Sequence, residues 1–318
     1  MKPLVIITEH LDQVCADWLA ERAEVVWCKH EDGAKLDELL PRAEALVVRT
    51  YTQVNAALLA KAPKLKVVGR AGVGLDNVDL GACEDRGVKV VYTPDANTQA
   101  VVEYVTALLL DAFRPREAMP SPCDEKTFHA MRKTLVGTQL DQLTLGILGF
   151  GRIGKRIGQV AIAIGMKVIA HDLLPGAELR KLVDYPFEFV PRDELFERAD
   201  VLTIHVDGRA ANRNLIDGSA LSQLNSGCLL INTSRGFVID APALKRWATH
   251  AADKGGRAVL DVHEPEPPPA DYCLWGVPNV RLLPHLASRT GPAMENMSWV
   301  LRDVAAVLAG NEPRYPAI

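Results

Sequence analysis

The stretch "LTLGILGFGRIGKRIGQVAIAIG" (residues 143–165) decides the fold. It begins as a short aliphatic run, breaks at Gly149-x-Gly151-x-x-Gly154, and resumes with apolar residues at helical spacing. Strand, tight turn and helix are expected in that order, the unit from which parallel sheets are wound. Glycines at these places permit the turn, close approach of a pyrophosphate to the backbone, and tight helix-to-strand packing, while the helix N-terminus supplies amide donors. An acid, Asp172, follows the run "KVIAH" (167–171) and lies 18 residues beyond Gly154, where it can bind both ribose hydroxyls. Its charge repels a 2′-phosphate, and Leu173 and Leu174 offer no cation to hold one, so NAD is expected over NADP.

Working outward, β-rich runs alternate with helical patterns along the whole chain. They are "LVIIT" (4–8), "ALVVR" (45–49), "KVVG" (66–69) and "VKVV" (88–91), then "LTLGIL" (143–148), "KVIAH", "VLTIH" (201–205), "CLLIN" (228–232), "AVLDV" (258–262) and "VRLL" (280–283). The expected fold class is α/β with two doubly wound parallel-sheet domains, a flavodoxin-like substrate domain and a Rossmann NAD-binding domain. The expected boundaries are 1–97 with 289–318 for the first and 98–288 for the second. A helix is expected at about 98–113, then a surface excursion through "RPREAMPSPCDEKTFHAMRK", and one long amphipathic helix over 291–310 that packs back on the first domain.

The 318 residues carry a net charge of −4 with no basic run, and 48% are hydrophobic but only 6% aromatic. That balance gives no electrostatic support to nucleic acid or a membrane surface as partner and favours a small polar metabolite. Six cysteines without CxxC spacing read as reduced thiols, no metal site is evident, and the apolar run near the N-terminus is too short for a signal peptide. A cytoplasmic location is expected.

Three polar clusters sit where strands of the second domain end. Arg235 follows the run within "CLLINTSRGFVID" (228–240), "DVHEPEP" (261–267) follows the next strand, and "LLPHLAS" (282–288) the last. In an open α/β sheet ligands bind outside the carboxyl ends of strands, the edge on which a nicotinamide would lie. An arginine there can grip a substrate carboxylate and carbonyl, a histidine can move the hydroxyl proton, and a glutamate can orient and charge-stabilise that histidine. Arg235, His285 and a glutamate of "HEPEP" therefore make a hydroxy-acid oxidation site.

At this point the sequence resembles the D-isomer-specific 2-hydroxyacid dehydrogenase family, over essentially its whole length. The resemblance rests on "GRAGVGLDNVD" (69–79), "TPDANTQAVVEYV" (93–105), "LGILGFGRIGKRIG" (145–158), "INTSRGFVID" (231–240), "LDVHEPEP" (260–267) and "LLPHLASRT" (282–290). "GRAGVGLDNVDL" likens it most to the phosphoglycerate dehydrogenase branch. The resemblance implies Arg235, Glu266 and His285 as the catalytic trio, with Glu264 the solvated alternative. It implies Gly149, Gly151, Arg152, Ile153, Gly154, Asp172, His205, Thr233 and Asp261 for NAD, and Arg49, Val73, Gly74 and Asn97 for a 2-hydroxy or 2-keto acid. A homodimer is implied too.

Three departures from the family pattern stand out. Asp207 and Gly208 replace the usual Pro-Leu after "IH", removing an apolar wall near the cofactor. His263 stands where many members carry Phe and reads as surface variation. Tyr51 stands where some phosphoglycerate dehydrogenases have Arg, so Arg49 with a tyrosine hydroxyl supplies about half the charge that a dianionic phosphate needs. A modestly acidic or polar tail is expected, and no feedback through a C-terminal regulatory domain beyond residue 318. A serine hydrolase is disfavoured because no GxSxG elbow exists, and a formate dehydrogenase because its Glu is replaced by Gln. An NAD-sensing binding protein on the same scaffold is the alternative.

Overall fold

The structure, a computed structural model, describes residues 2–318. The chain folds into two units, Met1–Thr98 with Ser288–Ile318 and Gln99–Ala287.

The first unit is built on five parallel strands: β1 (Leu4–Ile7), β2 (Glu24–Trp27), β3 (Ala45–Val48), β4 (Val67–Arg70) and β5 (Lys89–Tyr92). Their order is β2-β1-β3-β4-β5. The inner strands read "LVII" and "ALVV" with every residue buried, because helices cover both faces of the sheet. Each such Leu or Ile side chain contributes about 1.5–3 kcal/mol by burial. β2 escaped the sequence reading for the opposite reason: it is an edge strand whose two end residues are exposed. The C-terminal segment forms two helices, Gly291–Ser298 and Val300–Leu308, where one long helix was expected. Val300, Leu301 and Val304 enter the core beside Val47 and Val67.

The second unit is a seven-stranded parallel sheet of β6 (Thr144–Leu148), β7 (Lys167–His171), β8 (Glu188–Phe189), β9 (Val201–Ile204), β10 (Leu229–Asn232), β11 (Arg257–Leu260) and β12 (Val280–Leu282). The order is β12-β11-β10-β9-β6-β7-β8. The chain winds one way from β6 through β7 and the other way from β9 onward, so the order reverses at β6, where ligands of such sheets bind. β8, two residues on an edge, was also missed by the sequence reading. The expected excursion after residue 113 contains a helix, Glu125–Thr134, started by the Asp124 side chain accepting from Thr127 N–H. None of its residues is buried, which is why the segment carries no core pattern.

Among the described residues no helix is long and apolar enough to cross a membrane, and no group of three or more His, Cys, Asp or Glu is arranged to hold a metal.

Candidate active site

Every strand of the second unit runs the same way, so the exits of β6, β7, β9, β10, β11 and β12 share one edge. At the β6 exit Gly149 has φ +91, and a Cβ on it would lie 2.7 Å from the His205 carbonyl. A Cβ on Gly154 would lie 2.3 Å from the Gly149 oxygen, which is the close helix-to-strand contact the third glycine permits. A Cβ on Gly151 would meet nothing within 4 Å. Gly151 begins the helix Arg152–Ala163 without a side-chain cap, leaving the helix N-terminus to an anion. Gly154, Ile157, Gly158 and Ala161 make the helix's buried stripe, at the spacing the sequence shows.

Asp172 leaves β7 beside this turn. Its carboxylate accepts from Phe150 N–H at 2.6 Å and Leu174 N–H at 3.0 Å, which fixes it against the glycine loop with two lone-pair sites to spare. Thr233, after β10, has a buried hydroxyl with no partner. A cradle open at Gly151, an acid fixed at its rim and an orphaned buried hydroxyl are what a dinucleotide requires, so these residues fit NAD. His205 pairs through Nε2 with the Thr203 hydroxyl at 2.8 Å. Burial pushes it down to about 3, so it is neutral.

The departure after β9 has a local answer. Asp207 accepts from Arg209 Nε at 2.7 Å and from a second guanidinium nitrogen, and Asn212 donates to its carbonyl at 2.9 Å. That hydrogen-bonded pair, with a smaller contribution from Arg235, holds Asp207 below the usual carboxylate range. Arg209 also feels Asp172. Leu173 and Leu174 offer no cation here, and the arginine whose charge Asp172 influences belongs to another loop and is already engaged by Asp207.

The catalytic candidates occupy three neighbouring exits. Asn232, buried at the end of β10, donates to the Arg235 carbonyl at 2.9 Å and accepts from Ser234 N–H and Oγ–H at 3.0 and 2.7 Å. That cage bends the chain so that Arg235 leaves the strand, and its guanidinium donates to the Ser234 carbonyl at 2.8 Å. A Cβ on the next residue, Gly236, would lie 2.0 Å from the His263 backbone, so glycine is required there. Glu266 Oε2 lies 3.0 Å from His285 Nδ1, and both side chains are about one-third exposed. Of the two glutamates in "HEPEP" it is Glu266 that lies beside His285, while Glu264 faces Arg213 at 3.5 Å.

His285 has φ +55, a conformation that costs a non-glycine residue about 1–3 kcal/mol unless its surroundings impose it. Asp261 imposes it. This residue, fully buried, accepts from Leu286 N–H and Ala287 N–H at 2.8 Å each and from Tyr104 Oη–H at 3.3 Å. Burial raises the Asp261 carboxyl, and the two N–H donors oppose that. The residue expected to touch the cofactor thus gives its oxygens to the turn that carries His285.

His263 corrects a second expectation. It is 5% exposed, not on the surface, and its Nε2 lies 2.8 Å from the Leu283 carbonyl.

In the first unit, the Glu9 carboxylate accepts from the backbone N–H groups of Arg49, Thr50, Tyr51 and Thr52 at 2.8–3.2 Å, gathering the turn after β3. Arg49 donates to the His10 carbonyl at 3.1 Å and lies 3.3 Å from Met294 Sδ, in the helix that Arg289 and Thr290 lead into. Burial pulls the Arg49 guanidinium below its ordinary value, Glu9 opposes this, and the like charge of Arg289 adds to it. Arg289 was missed because its signal is distance in sequence: 240 residues separate it from Arg49. Tyr51 stacks on His30 at 4.7 Å. Asn77 Nδ2 donates to the Thr52 carbonyl at 2.7 Å, tying this turn to the loop of Val73 and Gly74. The Asn97 Oδ1 is buried without a partner.

A family model described as "D-isomer specific 2-hydroxyacid dehydrogenase, NAD binding domain" matches residues 106–287. D-3-phosphoglycerate dehydrogenase of Mycobacterium tuberculosis (strain ATCC 25618 / H37Rv) is 36% identical over 309 residues, 97% of this chain and 57% of the relative. The chain thus spans little more than half the length of that relative. (S)-Sulfolactate dehydrogenase of Chromohalobacter salexigens is 36% identical over 306 residues, 94% of this chain and 96% of the relative. The solved D-lactate dehydrogenase of Aquifex aeolicus, complexed with NAD and lactic acid, superposes with a TM-score of 0.79 at 25% identity, covering 97% of this chain and 96% of that one.

Proposed function

The chain belongs to the D-isomer-specific 2-hydroxyacid dehydrogenase family, and from that premise we propose that it interconverts a D-2-hydroxy acid and its 2-keto acid with NAD(H). The observation that carries this reading is the Glu266–His285 pair, on the sheet edge that also holds Arg235 and the glycine turn. When bound, the nicotinamide cofactor supplies or accepts the hydride. Gly149, Gly151, Arg152, Ile153, Gly154, Asp172, His205 and Thr233 would hold it. Arg235 grips the substrate carboxylate and polarises the reacting carbonyl with its planar fork. Glu266 accepts the His285 Nδ1–H, which leaves Nε2 to give a proton to the carbonyl oxygen in reduction and take it back in oxidation. Asp261 acts by holding the His285 turn. Homodimerisation carries over as an expectation on the resemblance, and a cytoplasmic location as one on the scattered cysteines and the short apolar run near the N-terminus.

NAD is the proposed cofactor over NADP, because Asp172 is fixed at the glycine turn, where its charge would meet a 2′-phosphate, and Asp207 occupies Arg209. Asp172→Ala is expected to weaken NADH binding about tenfold to a hundredfold, the worth of a charge-assisted hydrogen bond, and to improve NADPH binding by removing the repulsion. Fluorescence titration with both cofactors reads this directly. An unchanged NADH-to-NADPH preference would sink the assignment.

For the substrate we propose an anionic tail met by Arg49 and Arg289, with Val73, Gly74 and Asn97 taking the remaining polar atoms. Arg289 just precedes the helix whose Met294 lies 3.3 Å from Arg49, and two cations together are the complement that a dianionic phosphate needs. The names of two relatives, D-3-phosphoglycerate and (S)-sulfolactate dehydrogenase, fit such a tail. Arg289→Ala is expected to lower kcat/KM for 3-phosphohydroxypyruvate or sulfopyruvate about tenfold more than for pyruvate. Equal losses on tailed and untailed acids would mean that this pair does not read the tail.

A further inference from the structure

We infer that His263 is a positioning residue for the catalytic pair: it ties together the three loops that carry Arg235, Glu266 and His285. The inference rests on the dehydrogenase reading of those three residues.

The tautomer of His263 is fixed by its partner. A carbonyl oxygen only accepts, so the 2.8 Å contact with Leu283 places the proton of His263 on Nε2. Its Nδ1 is buried with no partner. Burying such an atom costs free energy that a phenyl ring would avoid. What histidine supplies in exchange is one N–H, and that N–H is spent on the carbonyl two residues before His285. Asp261 grips the same turn from its other side, through Leu286 and Ala287. His285 sits between the two grips at φ +55, a backbone conformation that persists only where the surroundings impose it.

The backbone of His263 does the rest. Its carbonyl group occupies the place a Cβ on Gly236 would need, so the Arg235 loop rests directly on it. Glu266 follows three residues later on the same segment. The ring is itself fixed edge-on against Tyr272, with centroids 5.9 Å apart at 83°. One residue therefore touches the Arg235 loop, belongs to the Glu266 loop and holds the His285 loop.

The test compares the parent with His263→Phe, which keeps the ring and loses the N–H, and His263→Gln, whose amide N–H can reach the same carbonyl. His263→Phe is expected to lower kcat about three- to tenfold, the worth of one hydrogen bond, with NADH affinity unchanged and Tm no lower. The downfield proton signal of His285 Nδ1–H, assigned by its disappearance in His285→Asn, should broaden in His263→Phe. His263→Gln should recover both kcat and the signal. Parental kcat and an unaltered imidazole signal in His263→Phe would overturn the inference. So would a loss of kcat matched by losses of Tm and NADH affinity, which is how a purely structural residue behaves. A parent that turns over no 2-keto acid would instead overturn the dehydrogenase reading, and the imidazole signal would still decide the role of His263.

Discussion

Replacing His285 with asparagine is expected to lower turnover of NADH with a 2-keto acid by about 10²–10⁴-fold, the usual contribution of a positioned proton donor. Asparagine is chosen because it tolerates the φ of +55 found at this position, so the turn keeps its shape and only the proton-transfer group is lost. The backbone grips on the turn come from Asp261 and His263, which the substitution leaves in place. NADH affinity should be close to parental, since the glycine turn, Asp172 and Thr233 belong to other strand exits. Stopped-flow rates set beside a fluorescence titration separate the two quantities. A variant that turns over at the parental rate would remove His285 from the mechanism.

Arg235→Lys should produce the second large effect, a fall in kcat/KM of about tenfold to a hundredfold. A lysine keeps the charge but replaces a two-point planar grip with a single ammonium, so one charge-assisted hydrogen bond to the carboxylate is lost. The fold should not suffer. Asn232 cages this turn through backbone atoms of residue 235, and the required glycine at 236 is untouched. Steady-state kinetics and a melting curve together check it: lost catalytic efficiency at parental Tm is expected, whereas parental efficiency would mean that the substrate carboxylate is held elsewhere.

The parts of this site legible in the sequence are those whose signal is local. Gly149, Gly151, Gly154 and Asp172 lie within one strand-turn-helix-strand unit, where Gly149 and Gly154 leave no room for a Cβ and Gly151 keeps the cradle open. Arg235, Glu266 and His285 could be placed on one edge from the sequence because parallel strands send all their exits there, so residues far apart in the chain come together once the strands are recognised. Contacts that join two loops carry no such pattern. Nothing in "DVHEPEP" says that His263 reaches the Leu283 carbonyl, or that Asp261 turns to Leu286 and Ala287. Arg209 and Arg289 were invisible for the same reason. In the fold, the interior strands declared themselves by continuous aliphatic runs, while β2 and β8, half-exposed at sheet edges, did not.

The most direct test of the central claim is to mix the protein with NADH and a panel of 2-keto acids, with and without anionic tails, and follow the loss of NADH absorbance while identifying the product. NADH consumption with at least one member is expected, with equimolar D-2-hydroxy acid as product and no such consumption with His285→Asn. NADH that binds in the same samples yet is consumed with no member of the panel would contradict the claim and leave a protein that senses the cofactor without using it.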